Sequence, residues 1–291
     1  MQTFNRNRLV ASISLFGLAN TVSPCLGQAN TDTKGAYRNQ LARRWAWTTE
    51  AWTGDDAPYR RIVAEVDGAV ARGGDLERLL AEYKSQANSD RTDPGAQFQW
   101  AYLGYRLSLL PENRNKGIDK IGLSLDAMER APSPHSYLYD RLRYLASHLI
   151  GASDYHMQNL GLRLLRRDPA NRQLMLAVIS DLGDDRDDVD RSKTRVIADR
   201  VRALALAQQY TLQHPEDPEG YGALGLVYSL SYLHSNSPSD QTKAIAAFNE
   251  QLKRTPSGSS RYQVAQYFVK KIQGGLVRYN GQYVYRETMP R

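Results

Sequence analysis

Residues 215–256 read PEDPEGYGALGLVYSLSYLHSNSPSDQTKAIAAFNEQLKRTP, and this stretch decides the fold. Apolar residues recur at helical spacing on both sides of the polar break HSNSPSD, so the stretch predicts two amphipathic helices closed by Pro256. Gly225 and Ala244 are small enough to let the two helices approach closely. Large side chains fill the space around that contact: Tyr221, Leu224, Tyr228 and Phe248. The stretch therefore predicts an antiparallel helical hairpin.

A similar spacing of prolines and large side chains recurs earlier in the chain. Five of the prolines are spaced 38, 37, 46 and 41 residues apart: Pro94, Pro132, Pro169, Pro215 and Pro256. A large side chain stands six residues after four of them: Trp100, Met175, Tyr221 and Tyr262. After Pro132 the distance from the proline to the packing residues is one residue longer, which predicts Tyr139 and Leu142 as the packing residues. In the next unit Ala203 takes the small position, and Ala207 stands where a large residue such as Phe248 would be expected. The chain thus contains degenerate helical repeats.

This pattern resembles the tetratricopeptide repeat, whose unit has about 34 residues, over roughly residues 75–269. The resemblance implies an all-α fold, a right-handed α-solenoid of helical hairpins. It also implies a protein or peptide partner held in the inner groove. Candidate groove residues are Trp100, Tyr102, Tyr105, Tyr221 and Tyr228, and core packing is the alternative for each.

Residues 1–29 have the features of a secretory signal. Arg6 and Arg8 precede the short apolar run of residues 9–18, which predicts an exported chain that is periplasmic or secreted. A lipoprotein anchored through Cys25 and a cytoplasmic protein with a loose N-terminus are the alternatives. Cys25 is the single cysteine, so the chain after removal of the signal has no thiol for a disulfide or a nucleophile. The formal net charge of +7 favours an acidic partner.

Residues 30–74 are predicted as N-terminal capping helices. They carry Trp45, Trp47 and Trp52, which either cover the open end of the first repeat or form an aromatic platform for a sugar or a peptide. Gly73 is predicted to end a helix and Asp75 to cap the next one. The helical repeats then occupy residues 75–258.

Residues 259–291 are predicted as a C-terminal helix followed by a small β-hairpin. The hairpin prediction rests on Asn280-Gly281, which lies between alternating residues. From Gln251 onward there are eight basic residues and one acid, Glu287. The predicted basic patch contains Arg261, Lys270, Lys271, Arg278 and Arg286. This region is predicted either to bind anionic lipid, an acidic polymer or an acidic protein, or to cap the last helices.

The sequence carries no recognisable catalytic motif. The five histidines are scattered, and the aspartates of residues 184–190 lack the glycine and the glutamate of a calcium loop. We therefore predict no catalytic, cofactor-binding or metal-binding residues and no nucleic-acid partner. The sequence predicts a non-catalytic binding or scaffold protein of the cell envelope. The alternatives are a carbohydrate-active or sugar-binding helical protein, and a protein that docks on membranes through its basic C-terminus.

Overall fold

The computed structural model describes residues 56–110, 128, 136–150, 155–183, 199–279 and 282–285. The chain forms two compact units, one ending at Asp168 and one beginning at Pro169, and we call them the first and second unit. The repeat region predicted for residues 75–258 therefore contributes helices to both units. The features predicted for residues 1–29, for Trp45, Trp47 and Trp52 and for residues 184–190 lie outside the described residues.

Five helices are described in the first unit: α1 (Ala57–Arg72), α2 (Leu76–Ser89), α3 (Pro94–Leu109), α4 (Tyr137–Ile150) and α5 (Tyr155–Arg167). Helix α3 contacts α1, α2 and α4, and α4 also contacts α5. Helix α3 is thus the centre of this unit. Its sequence, with ten buried residues out of sixteen, has the apolar character that such a position requires.

The ends of these helices follow local sequence signals. Gly73 adopts the left-handed conformation, with φ of 66°, and its N–H donates to the carbonyl oxygen of Val70. The side chain of Asp75 accepts a hydrogen bond from the backbone N–H of Arg78 at 3.0 Å. Both predicted helix boundaries are confirmed.

The core of the first unit is a cluster of aromatic rings. The ring of Phe98 contacts Tyr59 edge-on at 5.0 Å between centroids and is stacked with Tyr102 at 5.9 Å. Tyr139 packs against Phe98 at 6.2 Å. Tyr139 and Leu142 are fully buried, which confirms the packing role predicted for them.

Five helices are also described in the second unit, with two strands after them: α6 (Arg172–Gly183), α7 (Arg200–Gln213), α8 (Pro218–Ser235), α9 (Pro238–Arg254), α10 (Ser260–Gln273), β1 (Leu276–Tyr279) and β2 (Gln282–Tyr285). Helix α8 contacts α6, α7 and α9, and α9 contacts α10. The strands pair antiparallel, with Leu276 opposite Tyr285, and β1 contacts α8 and α10. The predicted turn residues 280–281 lie outside the described part of the chain.

Small residues lie where the helices of the second unit cross. A Cβ atom built on Gly225 would stand 2.9–3.0 Å from the ring of Phe248, so only glycine allows α8 and α9 this spacing. Ala244, Ala203 and Ala207 are fully buried. The close contact predicted between the two helices of residues 215–256 is confirmed. The described part of the chain is predominantly α-helical.

Equal spacing from a proline does not give equal positions in the two units. Pro94 is the first residue of α3, whereas Pro215 precedes α8 by three residues and Pro218 occupies its first turn. Trp100 and Tyr221, each six residues after its proline, therefore sit at different points of their helices. Trp100 is buried and Tyr221 is partly exposed.

Candidate functional site

Helix α8 has one partly exposed face, which lies between its contacts with α7 and α9. On one side Gly220 faces the ring of Tyr210 on α7, and on the other Gly225 faces Phe248 on α9. Between these contacts lie three partly exposed residues, which we call the α8 strip: Tyr221, Leu224 and Tyr228. Residues three and seven apart share a helix face, and two turns separate the tyrosines by about 10 Å. Tyr221 and Tyr228 are two of the predicted groove residues, whereas Leu224 was predicted to fill the space around the contact of α8 with α9.

A cation from α9 lies over each tyrosine ring of the strip. The guanidinium carbon of Arg254 is 4.2 Å from the centroid of Tyr221, and the Lys243 Nζ atom is 5.6 Å from the centroid of Tyr228. Both distances fall within the range of a cation–π contact. The two cations are eleven residues apart, which is three helical turns, so both lie on one face of α9.

The charge is balanced at one end of the strip and not at the other. Arg254 donates to Glu250 at 2.6 Å and to the carbonyl oxygen of Pro215 at 2.8 Å. The hydrogen bond to Glu250 raises the pKa of Arg254, and bonds from Lys253 and Arg254 lower the pKa of Glu250. Lys243 is exposed and forms no ion pair with any residue in the described ranges. The cation at the Tyr228 end is therefore not held in an ion pair within the described part of the chain.

Tyr228 is also held from the side of α7. Its hydroxyl oxygen accepts a hydrogen bond from the Gln208 Nε2 atom at 3.3 Å. The ring is thus fixed between an amide on α7 and a cation on α9, while Leu224 adds an apolar contact one turn away. Such a surface can bind a chain segment through its aromatic faces and its exposed ammonium group. It holds no nucleophile paired with a base.

The structure separates the predicted groove residues into two groups. Tyr221 and Tyr228 are partly exposed on the strip. Trp100, Tyr102 and Tyr105 are buried in the first unit, at 3% exposure or less, because α3 is surrounded by other helices. A partner cannot reach these three buried residues. They pack in the core, which was the alternative predicted for them. Trp45 and Trp52 lie outside the described residues.

The predicted basic patch is spread over several environments. Arg261 forms an ion pair with Glu219 at the start of α8. Lys270 is exposed, and the Lys271 Nζ atom lies 5.3 Å from the ring centroid of Tyr267. Arg278 belongs to strand β1, and Arg286 is outside the described residues.

Sequence reasoning missed the buried charges of the first unit. Arg163 donates two hydrogen bonds, at 2.6 and 2.7 Å, to the carboxylate of Asp140. Burial raises the pKa of Asp140, and the bonds from Arg163 partly offset that rise. Arg141 is fully buried beside Tyr137 and Tyr105, and burial lowers its pKa to about 10. Asp140 and Arg141 are buried, whereas the side chain of Arg163 is 43% exposed, and we assign all three groups to stability.

Neither a metal centre nor a membrane span is found among the described residues. No group of three or more His, Cys, Asp or Glu side chains in this part of the chain has the arrangement of a metal site. The helices described here also include none with the length and hydropathy needed to cross a bilayer. A comparison with models of known protein families gave no match, and a comparison with curated proteins gave no significant match.

Proposed function

We propose that this chain is a non-catalytic binding or scaffold protein that holds a protein or peptide partner against the α8 strip. The observation that carries the proposal is the pair of partly exposed tyrosines, Tyr221 and Tyr228, each placed under a cation of α9. Aromatic rings backed by cations are the kind of anchor that dominates the energy of many protein interfaces. The strip stays partly exposed because α7 and α9 contact α8 on the two flanking faces and leave the face between them uncovered.

The proposed architecture is a solenoid of degenerate helical hairpins similar to tetratricopeptide repeats. The support for it is that α6, α7, α8, α9 and α10 each pack against their neighbours in sequence, as repeat proteins do. In such an array the first helix of each hairpin lines the groove, and α8 has that position in the hairpin of α8 and α9. The small C-terminal β-hairpin is part of this proposal, with residues 280–281 as its turn.

The proposed partner is acidic where it meets Tyr228. Lys243 presents a positive charge there that forms no ion pair with an acid of the described residues, whereas Arg254 already has Glu250 as its partner. A carboxylate on the partner would pair with Lys243, and an apolar side chain would lie on Leu224. The formal net charge of +7 acts in the same direction at longer range.

The proposed location is the cell envelope. It rests on the basic start and apolar run of residues 1–29, which have the features of a secretory signal. A scaffold in this compartment holds its partner in place and needs no cofactor.

The test compares strip variants during crosslinking in living cells. The full chain with a C-terminal tag is expressed in its host, crosslinked and purified, and the proteins bound to it are quantified. We expect one protein at near-equal amount, with strong loss for Tyr228→Ala and for Lys243→Glu. The matched controls are Leu212→Ala, which removes an exposed apolar side chain of α7, and Lys84→Glu, which reverses an exposed lysine of α2.

Two results would overturn the proposal. Equal loss in the control variants would mean that general charge or stability, and not the strip, determines capture. Retention of the chain on cell-wall or polysaccharide material, with no bound protein, would instead favour the sugar-directed function that Trp45, Trp47 and Trp52 suggest.

A further inference from the structure

The last turns of α10 carry an exposed aromatic ring next to two lysines. We call Tyr267, Lys270 and Lys271 the C-terminal patch. Tyr267 is 46% exposed, and Lys270 is exposed beside it. Residues three and four apart lie on one helix face, so the ring and both lysines point to the same side of α10.

The patch lies in a part of the chain without acids. Residues 251–279 contain six basic residues and no aspartate or glutamate. Glu250 pairs with Lys253 and Arg254, and Glu219 pairs with Arg261. Lys270 has no ion-pair partner among the residues that the structure describes. The positive charge of Lys270 is therefore left to interact with an external anion.

The exposed ring is held in place by the core beneath it. Tyr267 contacts Phe268 edge-on at 5.8 Å, and Phe268 is stacked on Phe248 at 5.2 Å with an angle of 5° between the rings. The Lys271 Nζ atom lies 5.3 Å from the centroid of Tyr267. The ring is thus fixed at the surface, where it is ready to contact a partner without further ordering.

We propose that the C-terminal patch docks on the surface of an anionic lipid bilayer. A tyrosine at the level of the headgroups, flanked by lysines, is the combination that such a surface favours. The interaction of cations with the C-terminal end of a helix accounts for the two lysines, but it leaves the exposed Tyr267 without a role. A soluble polyanion would use the lysines alone, so Tyr267 distinguishes the two partners. This docking is independent of the partner proposed for the α8 strip.

The test is sedimentation of the full chain with lipid vesicles. Binding to neutral phosphatidylcholine vesicles measures how much the apolar run of residues 9–18 contributes to membrane affinity. Vesicles with about one third phosphatidylglycerol add the electrostatic contribution, about 1 kcal/mol for each lysine or about fivefold in affinity. We expect Lys270→Gln to weaken this added binding about fivefold and Tyr267→Ser to weaken it several-fold. Binding should also fall when salt is raised from about 0.1 to 1 M, since the Debye length shrinks from about 10 to 3 Å.

The control is Lys84→Gln, which makes the same change in net charge at an exposed lysine of the first unit. This variant should bind like the wild type. Equal binding to neutral and anionic vesicles, or equal weakening by Lys84→Gln and Lys270→Gln, would refute the proposal. If Tyr267→Ser binds like the wild type while soluble polyphosphate competes fully, the partner is an anionic polymer and not a membrane.

Discussion

Replacement of Gly225 by alanine should weaken the second unit, although alanine is the better helix former. The added Cβ atom would stand 2.9–3.0 Å from three carbon atoms of the Phe248 ring, closer than real contacts allow. That ring has little room to move, since it is stacked on Phe268 at 5.2 Å and is itself 3% exposed. Relief therefore requires α8 and α9 to separate.

The expected magnitude is the difference between two effects. Removing a glycine from a helix interior gains about 1 kcal/mol in propensity, and overpacking a tight contact costs about 1–3 kcal/mol. The net change for Gly225→Ala is then a loss of up to about 2 kcal/mol in the free energy of unfolding. A loss of about 1.4 kcal/mol makes amide exchange about tenfold faster in the helices concerned.

Gly222→Ala is the matched control on the same helix. Its Cβ atom would stand 2.7–3.0 Å from the end of the Gln251 side chain, a flexible group that can turn away. The propensity gain then remains, so this variant should be neutral or more stable by up to about 1 kcal/mol. In a Phe248→Leu background, Gly225→Ala should lose most of its cost, because the ring that it meets is gone.

Hydrogen exchange followed by mass spectrometry is the suitable assay. The four tryptophans all lie before residue 101, so fluorescence does not report on α8 and α9. Exchange of the amides in 218–254 measures the opening of these helices directly. Equal effects of Gly225→Ala and Gly222→Ala, or no relief in the Phe248→Leu background, would refute the reasoning.

Three further predictions concern the first unit. Asp56→Ala removes a buried carboxylate that accepts a hydrogen bond from the Ser136 hydroxyl at 2.5 Å, and should cost about 2–4 kcal/mol in urea unfolding followed by tryptophan fluorescence. Burial raises the pKa of Tyr59 from 10.0 to about 12. The unfolded chain therefore loses this proton first, stability should fall as pH rises above 10, and Tyr59→Phe should flatten that fall in thermal unfolding. Arg163→Ala leaves the carboxylate of Asp140 without its main partner and should cost about 1–3 kcal/mol at neutral pH, because the Arg163 side chain is 43% exposed and water screens the pair. Because burial already raises the pKa of Asp140 above 3.8, this loss should grow as pH rises from 4 to 7 and shrink in acid.

Local signals in the sequence predict much of the second unit. The C-terminal helix predicted from residue 259 begins at Ser260, where the side chain of Ser259 caps it by accepting a hydrogen bond from the backbone N–H of Tyr262. The contact of Gly225 with Phe248 was also predictable, since it lies within one hairpin. Such features need no knowledge of distant packing.

Burial of the aromatic residues in α3 was not predictable in the same way. Helix α3 is apolar on most of its faces, so the sequence alone does not indicate which side a partner could reach. Trp100 and Tyr221 both stand six residues after a proline, yet only Tyr221 is partly exposed. The rotation of α9 that brings Lys243 and Arg254 over the tyrosine rings is likewise set by packing between helices. A buried arginine such as Arg141 contradicts the usual exposure of its residue type.

The most direct test of the proposed binding surface is site-specific photocrosslinking in the host. A photoreactive phenylalanine derivative replaces Tyr228 on the α8 strip in one strain and Leu212, which is 82% exposed on α7, in another. Our account predicts one discrete protein adduct from position 228 and none from position 212. Adducts of equal yield at both positions, or an adduct at 212 alone, would contradict the claim that the α8 strip holds the partner.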